Sequence, residues 1–165
     1  MAESGSNSDN DQLSSSPSPF DESSVQRRRH ILIVEDNQAD VFLILESIEP
    51  RLDAILHVVH DGEKAIKFWE QADFDPSPGL ALVILDINLP RKDGRDVLNA
   101  IRQSRRGASA PVLVVTSSDS ERDREDMAKL GVKVYFRKPS HYAEYMKLGE
   151  IVKSLLNEIP ETSSH

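Results

Sequence analysis

The chain contains no cysteine. That excludes a disulfide framework, a thiolate zinc site and a cysteine nucleophile, and it removes any argument for an oxidising compartment. Long hydrophobic runs are missing too. The longest uninterrupted one, residues 80–85, falls far short of the roughly 20 residues a membrane span needs. The first residues lack the apolar core of a signal peptide. Positive charge is in deficit: 20 Lys and Arg face 28 Asp and Glu, a formal net charge of −8. Phosphate neutralisation needs excess basic charge, so nucleic acid and anionic membrane surfaces are both poor partners. A cytoplasmic protein is the default expectation.

What is present divides unevenly. Residues 1–26 hold nine Ser, two Pro and five acidic residues, with no Lys or Arg. Such a segment cannot bury enough surface to offset its ordering entropy, so residues 1–27 are expected to form a disordered tail. Without those five acids the body carries 23 acidic against 20 basic residues and is only mildly acidic. One domain is expected over residues 28–158, with a second disordered end at 159–165.

The body alternates short apolar runs with amphipathic stretches. Strands are expected at 30–34, 54–59, 81–85, 111–115 and 132–136. Helices are expected at about 38–49, 63–71, 94–105, 120–130 and 141–157, with Asn37 and Gly131 as caps and 73–79 as a loop. Strands this apolar, separated by helices, predict an α/β fold: a doubly wound five-stranded parallel sheet covered on both faces, with right-handed crossovers. Ligands bind such sheets outside the C-terminal strand ends.

Those ends carry chemistry. Glu35 and Asp36 follow the first strand and Asp86 and Asn88 the third. Thr116, Ser117 and Ser118 follow the fourth, and Lys138 and Pro139 the fifth. In the order 2-1-3-4-5 the first and third strands are neighbours, so Glu35, Asp36 and Asp86 would crowd together. Two like charges about 4 Å apart repel by roughly 4 kcal/mol at an effective dielectric of 20. The group must therefore hold a proton or a cation, and a hard divalent ion such as Mg²⁺ suits it. Lys138 and Thr116 could then hold phosphoryl oxygens beside Asp86, a carboxylate able to form an aspartyl phosphate.

Four segments in order, Ile31-Leu-Ile-Val-Glu-Asp-Asn37, Leu82-Val-Ile-Leu-Asp-Ile-Asn-Leu-Pro90 with Asp93-Gly94, Val114-Val-Thr-Ser117 and Tyr135-Phe-Arg-Lys-Pro139, resemble the receiver domain of two-component response regulators. The resemblance covers residue 30 to about 157 and implies a flavodoxin-like (βα)5 fold. It implies Asp86 as phosphoacceptor, with Asp36, Asp86 and the Asn88 carbonyl as Mg²⁺ ligands and Glu35 reaching the metal through water. Lys138 would contact the phosphoryl group. Thr116 would be the switch hydroxyl, and Tyr135 the aromatic that turns inward with it. The implied partners are a sensor histidine kinase and an unidentified downstream protein. A homodimer through the fourth helix, fifth strand and fifth helix is also allowed. Residues 89–94 and the long loop before the third strand resemble receivers paired with bacterial phytochromes. Ser117 and Ser140 depart from the family's usual Ala or Gly and Phe.

Plainer readings stand beside these. Asp86 alone could be a turn residue, and Tyr135 a half-buried strand aromatic. Trp69 reads as core, His57 and His60 as structural, and Arg27–Arg29 as a solvated run. Few residues follow position 158, so a single-domain regulator without enzymatic output is expected. The alternatives are a pseudo-receiver scaffold and a haloacid-dehalogenase-type phosphohydrolase. The latter needs an acid two residues after its nucleophile, where this chain has Asn88.

Overall fold

Five strands account for most of the apolar sequence: β1 (Arg29–Val34), β2 (Ala54–Val59), β3 (Leu80–Leu85), β4 (Val112–Thr116) and β5 (Val134–Arg137). They form one parallel sheet in the order β2-β1-β3-β4-β5. The computed structural model describes residues 28–74 and 80–158. The expected tail at 1–27, the end at 159–165 and the loop residues 75–79 lie outside them.

Strand alternation explains why each run is apolar throughout. Leu32, Val34, Val83, Leu85, Val112 and Val114 point to one side, where they pack with Trp69, Val97, Leu98, Ile101 and Met127. Ile31, Ile33, Leu82, Ile84, Leu113 and Val115 point to the other, against Ile44, Ile48, Tyr145, Leu148, Val152 and Leu156. Successive side chains of a strand face opposite ways, so a sheet covered on both sides needs apolar residues at every position. The covering helices are α1 (Gln38–Ile48), α2 (Gly62–Phe74), α3 (Gly94–Gln103), α4 (Glu121–Lys129), α5 (Tyr142–Tyr145) and α6 (Lys147–Glu158). Among the described residues no helix is long and apolar enough to cross a membrane.

Local chemistry sets the helix starts. The Asn37 side chain accepts from the Ala39 and Asp40 N–H groups at 2.9 and 3.1 Å. Asp93 and Asp96 form a reciprocal capping box, and Ser120 caps α4. Trp69 is core, as expected, and its indole N–H donates to Ser104 Oγ at 2.7 Å.

The structure corrects several boundaries. Helix α2 runs on to Phe74, past the expected end at 71. Strand β5 begins at Val134 rather than 132, because Val132 still closes the preceding helix: its N–H bonds to the Met127 carbonyl at 3.2 Å. Gly131 makes that turn possible with φ of 78°. The single helix expected over 141–157 is divided at Met146. There the Gly149 N–H bonds three residues back to the Met146 carbonyl at 3.3 Å.

His30 and His57 stack across β1 and β2 with ring centroids 5.2 Å apart and Nδ1 of His30 2.8 Å from Nε2 of His57. Phe68 of α2 lies over His57. One ring must donate and the other accept, so the contact tolerates at most one imidazolium. Burial, then the His30 charge, hold His57 below its ordinary value of 6.5. The folded state thus binds fewer protons than the unfolded chain as pH falls below 6.5, and stability is lost in that direction. His57→Gln is expected to gain in urea midpoint relative to the wild type as pH falls from 7.5 to 5.5, and a constant difference between the two across that range would remove the pair as a source of pH dependence.

Candidate functional site

The sheet ladder continues one residue past three strands. The Glu35 N–H bonds to the Val59 carbonyl at 3.1 Å, the Asp86 N–H to Val34 at 3.0 Å and the Lys138 N–H to Thr116 at 2.8 Å. Backbone pairing therefore fixes where these three side chains leave the sheet. Glu35 is 1% exposed and Asp86 5%, although both are acidic, and Thr116 is fully buried. Asp36 is exposed at the rim.

Lys138 organises the cluster. Its ammonium lies 2.8 Å from Glu35 Oε2, 2.9 Å from Asp40 Oδ2 and 3.0 Å from Asp86 Oδ2, with a side chain only 8% exposed. An ammonium has three protons, and each has an acceptor here. The second oxygens of Glu35 and Asp86 are engaged by backbone: Glu35 Oε1 accepts from the Asn37 N–H at 3.0 Å, and Asp86 Oδ1 from the Asn88 N–H at 3.2 Å.

Electrostatics follow from this crowding. Burial pushes the Glu35 carboxyl up from 4.5 to about 7. The Lys138 hydrogen bond opposes the rise and the Asp86 charge adds to it. Burial alone would lower the Lys138 ammonium, but its bonds to Glu35 and Asp40 and the Asp86 charge outweigh that and hold it above the ordinary lysine range. Three carboxylates (Glu35, Asp40 and Asp86) thus share one cation, with Asp36 at the rim beside them. One oxygen each from Glu35, Asp36 and Asp86 lies within 4.8 Å of the others. This is a hard oxygen donor set with a solvent-facing member, and it fits a divalent cation that keeps some of its waters.

A second network runs from Thr116. Its Oγ1 accepts from the Ser118 N–H at 3.3 Å, and Ser118 Oγ donates to Asp123 Oδ2 at 2.7 Å. The Tyr135 hydroxyl donates to the Ser118 carbonyl at 3.0 Å, and Arg124 covers its ring at 4.8 Å. Arg95 of α3 bridges to Asp123 and Asp126 of α4. Ser117 is exposed.

The structure therefore brings Glu35, Asp36, Asp86 and Lys138 together. It places Asn88 beside Asp86, and it ties Thr116, at the end of β4, and Tyr135, on β5, to Ser118 of the β4–α4 loop. Sequence reasoning missed Asp40 and Tyr145. Tyr145 is 2% exposed, and its hydroxyl donates to Asp40 Oδ1 at 3.2 Å. Asp40 carried no distinguishing signal, since an acidic residue in the first turn of α1 is accounted for by the helix N-terminus.

A family model described as "Response regulator receiver domain" matches residues 31–148. The chain belongs to the response regulator receiver domain family. Response regulator Rcp1 of Synechocystis sp. (strain ATCC 27184 / PCC 6803 / Kazusa) is 36% identical over 126 residues, covering 75% of this chain and 86% of Rcp1. The structure of the phosphorylated cyanobacterial phytochrome response regulator RcpA superposes with a TM-score of 0.73 at 28% identity, over 83% of this chain and 99% of RcpA. The Mn²⁺-bound form of Rcp1 gives a TM-score of 0.72 at 33% identity, over 82% and 99%. The receiver fold and its strand order agree with the sequence expectation. A phosphohydrolase gains no support, since Asp86 lies past the third strand and is followed at the critical position by Asn88.

Proposed function

We propose that this receiver domain takes a phosphoryl group on Asp86 from the phosphohistidine of a sensor histidine kinase. An Asp86 carboxylate oxygen attacks phosphorus, the P–N bond breaks as the P–O bond forms, and the imidazole leaves. The observation that carries this reading is the Lys138 ammonium 3.0 Å from Asp86 Oδ2 inside a ring of carboxylates. Lys138 can exchange that bond for one to a phosphoryl oxygen and offset its charge as transfer proceeds. Glu35, Asp36, Asp86 and the Asn88 carbonyl would hold Mg²⁺, which when bound supplies further neutralisation of the phosphoryl oxygens.

Thr116 is the switch residue in this reading: its hydroxyl turns to the phosphoryl group and leaves the Ser118 N–H. Tyr135 moves with it, releasing the Ser118 carbonyl. The output is protein contact, with a homodimer through α4, β5 and the C-terminal helices as one form. An open groove between β5 and α6, where Val134, Ile151 and Leu155 are ringed by Lys133, Lys147, Glu150, Ser154 and Glu158, lies on part of that face. Likeness to RcpA, named a phytochrome response regulator, supports a phytochrome-type kinase as the phosphodonor.

The test is intact-mass analysis after incubation with acetyl phosphate and Mg²⁺, with phosphate release followed in the same samples. One added phosphoryl group is expected, absent from Asp86→Ala and absent with EDTA. Neither an adduct nor released phosphate would overturn the proposal and favour a scaffold that never turns over phosphate.

A further inference from the structure

We propose that Asp40 is a positioning residue for Lys138, and that Tyr145 in turn positions Asp40. This rests on the phosphorylation of Asp86 proposed above, and it concerns two residues outside the motif that suggested it. Two of the three acceptors on the Lys138 ammonium, Glu35 and Asp86, belong to the strand-end cluster. The third comes from α1: Asp40 Oδ2, at 2.9 Å. The two oxygens of Asp40 are used separately, since Oδ1 accepts from the Tyr145 hydroxyl at 3.2 Å. The carboxylate is thus clamped between a buried phenol and a buried ammonium.

Each clamp is braced. The Asp40 N–H bonds to the Asn37 cap at 3.1 Å, which fixes the first turn of α1. The Tyr145 ring packs edge-on against Phe136 of β5 at 6.1 Å between centroids, and Phe136 precedes Lys138 by two residues along the chain. A closed loop results: Lys138 to Asp40, Asp40 to Tyr145, Tyr145 to Phe136, and Phe136 back along the chain to Lys138. Lysine is a flexible four-carbon stem with a point charge, and it has no planar fork to set its own direction.

When a phosphoryl oxygen replaces Asp86 as acceptor, the Asp40 bond is outside the exchange. It keeps the ammonium aimed at the transfer point. Without it the ammonium would settle on Glu35 and Asp86, masking the nucleophile.

Charge alone makes the opposite prediction. Asp40 adds a negative charge near an incoming phosphate, so its neutralisation would speed transfer if repulsion were its main effect. The sign of one substitution separates the two. The full chain is incubated with acetyl phosphate and Mg²⁺, and the rate of adduct formation is read by intact mass, with circular dichroism confirming the fold. Asp40→Asn is expected to be about tenfold slower than wild type, and Tyr145→Phe about threefold slower, as misplacement of a transfer group predicts. In a Lys138→Ala background, Asp40→Asn should change nothing further, because the residue acts only through the ammonium.

A rate equal to or above wild type in Asp40→Asn would overturn the inference. So would an undiminished loss in the Lys138→Ala background, which marks a general structural effect. Tyr145→Phe removes one oxygen from a buried ring and keeps the test open if Asp40→Asn folds poorly. If the wild type itself neither takes up nor releases phosphate, the proposed function fails and this inference falls with it. If the wild type is phosphorylated and Asp40→Asn matches it, only the inference fails.

Discussion

Lys138→Ala is expected to slow phosphorylation of the receiver domain by about 100-fold, the usual cost of removing one donor aimed at developing oxyanion charge. The same substitution should destabilise the fold by about 3 kcal/mol at pH 8 without divalent cation, because it leaves a buried ion cluster without its counter-charge. The Lys138 side chain is 8% exposed and Glu35 only 1%, so solvent cannot take over the role of the ammonium. The loss should be smaller at pH 6. Glu35 already sits at about 7 with Lys138 beside it, and without the ammonium its carboxyl rises further. A carboxyl raised in the folded state favours folding while it is protonated, and that benefit disappears as pH climbs through the raised value. Mg²⁺ should restore part of the stability at pH 8 by replacing the missing positive charge, but it should not restore the rate. Urea midpoints at both pH values, with and without Mg²⁺, check the stability arm. A rate within threefold of wild type would remove Lys138 from the transfer step.

The contrast between what was and was not readable in advance follows from the range of the interactions. Strand positions were legible because the three central strands are buried on both faces and the apolar run is its own signature. Their C-terminal ends were legible for the same reason, and those ends are where Glu35, Asp86 and Lys138 stand. The boundary of β5 was not, since Val132 looks like strand but spends its N–H on the Met127 carbonyl to close α4. The break at Met146 left no mark either, because 142–158 is a continuous helical pattern whose division depends on how α5 and α6 seat against α1. Asp40 illustrates the deeper limit. An acidic residue in the first turn of a helix is fully explained by the helix dipole and the free N–H groups there. Nothing local shows that its carboxylate meets a lysine 98 positions away. The His30–His57 contact is hidden in the same way, as it needs the β1–β2 register to bring the rings together.

Gly94→Ala is expected to damage both stability and phosphorylation, and the reason is space rather than backbone freedom. A Cβ at Gly94 would lie 2.6 Å from the Asp86 carbonyl oxygen and 2.6 Å from the Ile87 Cα. Both are backbone atoms, so no side chain can rotate away. The Gly94 N–H also donates to the Ile87 carbonyl at 2.8 Å, which ties the start of α3 to the segment that carries Asp86. Relief requires that segment or the helix to move, and overpacking of this kind costs about 1–3 kcal/mol. At about 4 °C per kcal/mol for a domain of this size, the melting temperature should drop by roughly 4–12 °C. The displaced segment also carries the acceptor, so the phosphorylation rate should fall by more than tenfold even below the melting point, as small misplacements of reacting groups do. Gly131→Ala supplies the comparison. Gly131 has φ of 78°, where a side chain is strained, yet the nearest atom to its Cβ is 3.6 Å away, on the Arg102 side chain. That substitution should cost about 1 kcal/mol from the left-handed backbone alone and leave the rate unchanged, because Gly131 lies at the far end of α4. Equal rate losses in the two variants would show that general destabilisation slows phosphorylation. A loss confined to Gly94→Ala would tie the rate to the placement of the Asp86 peptide.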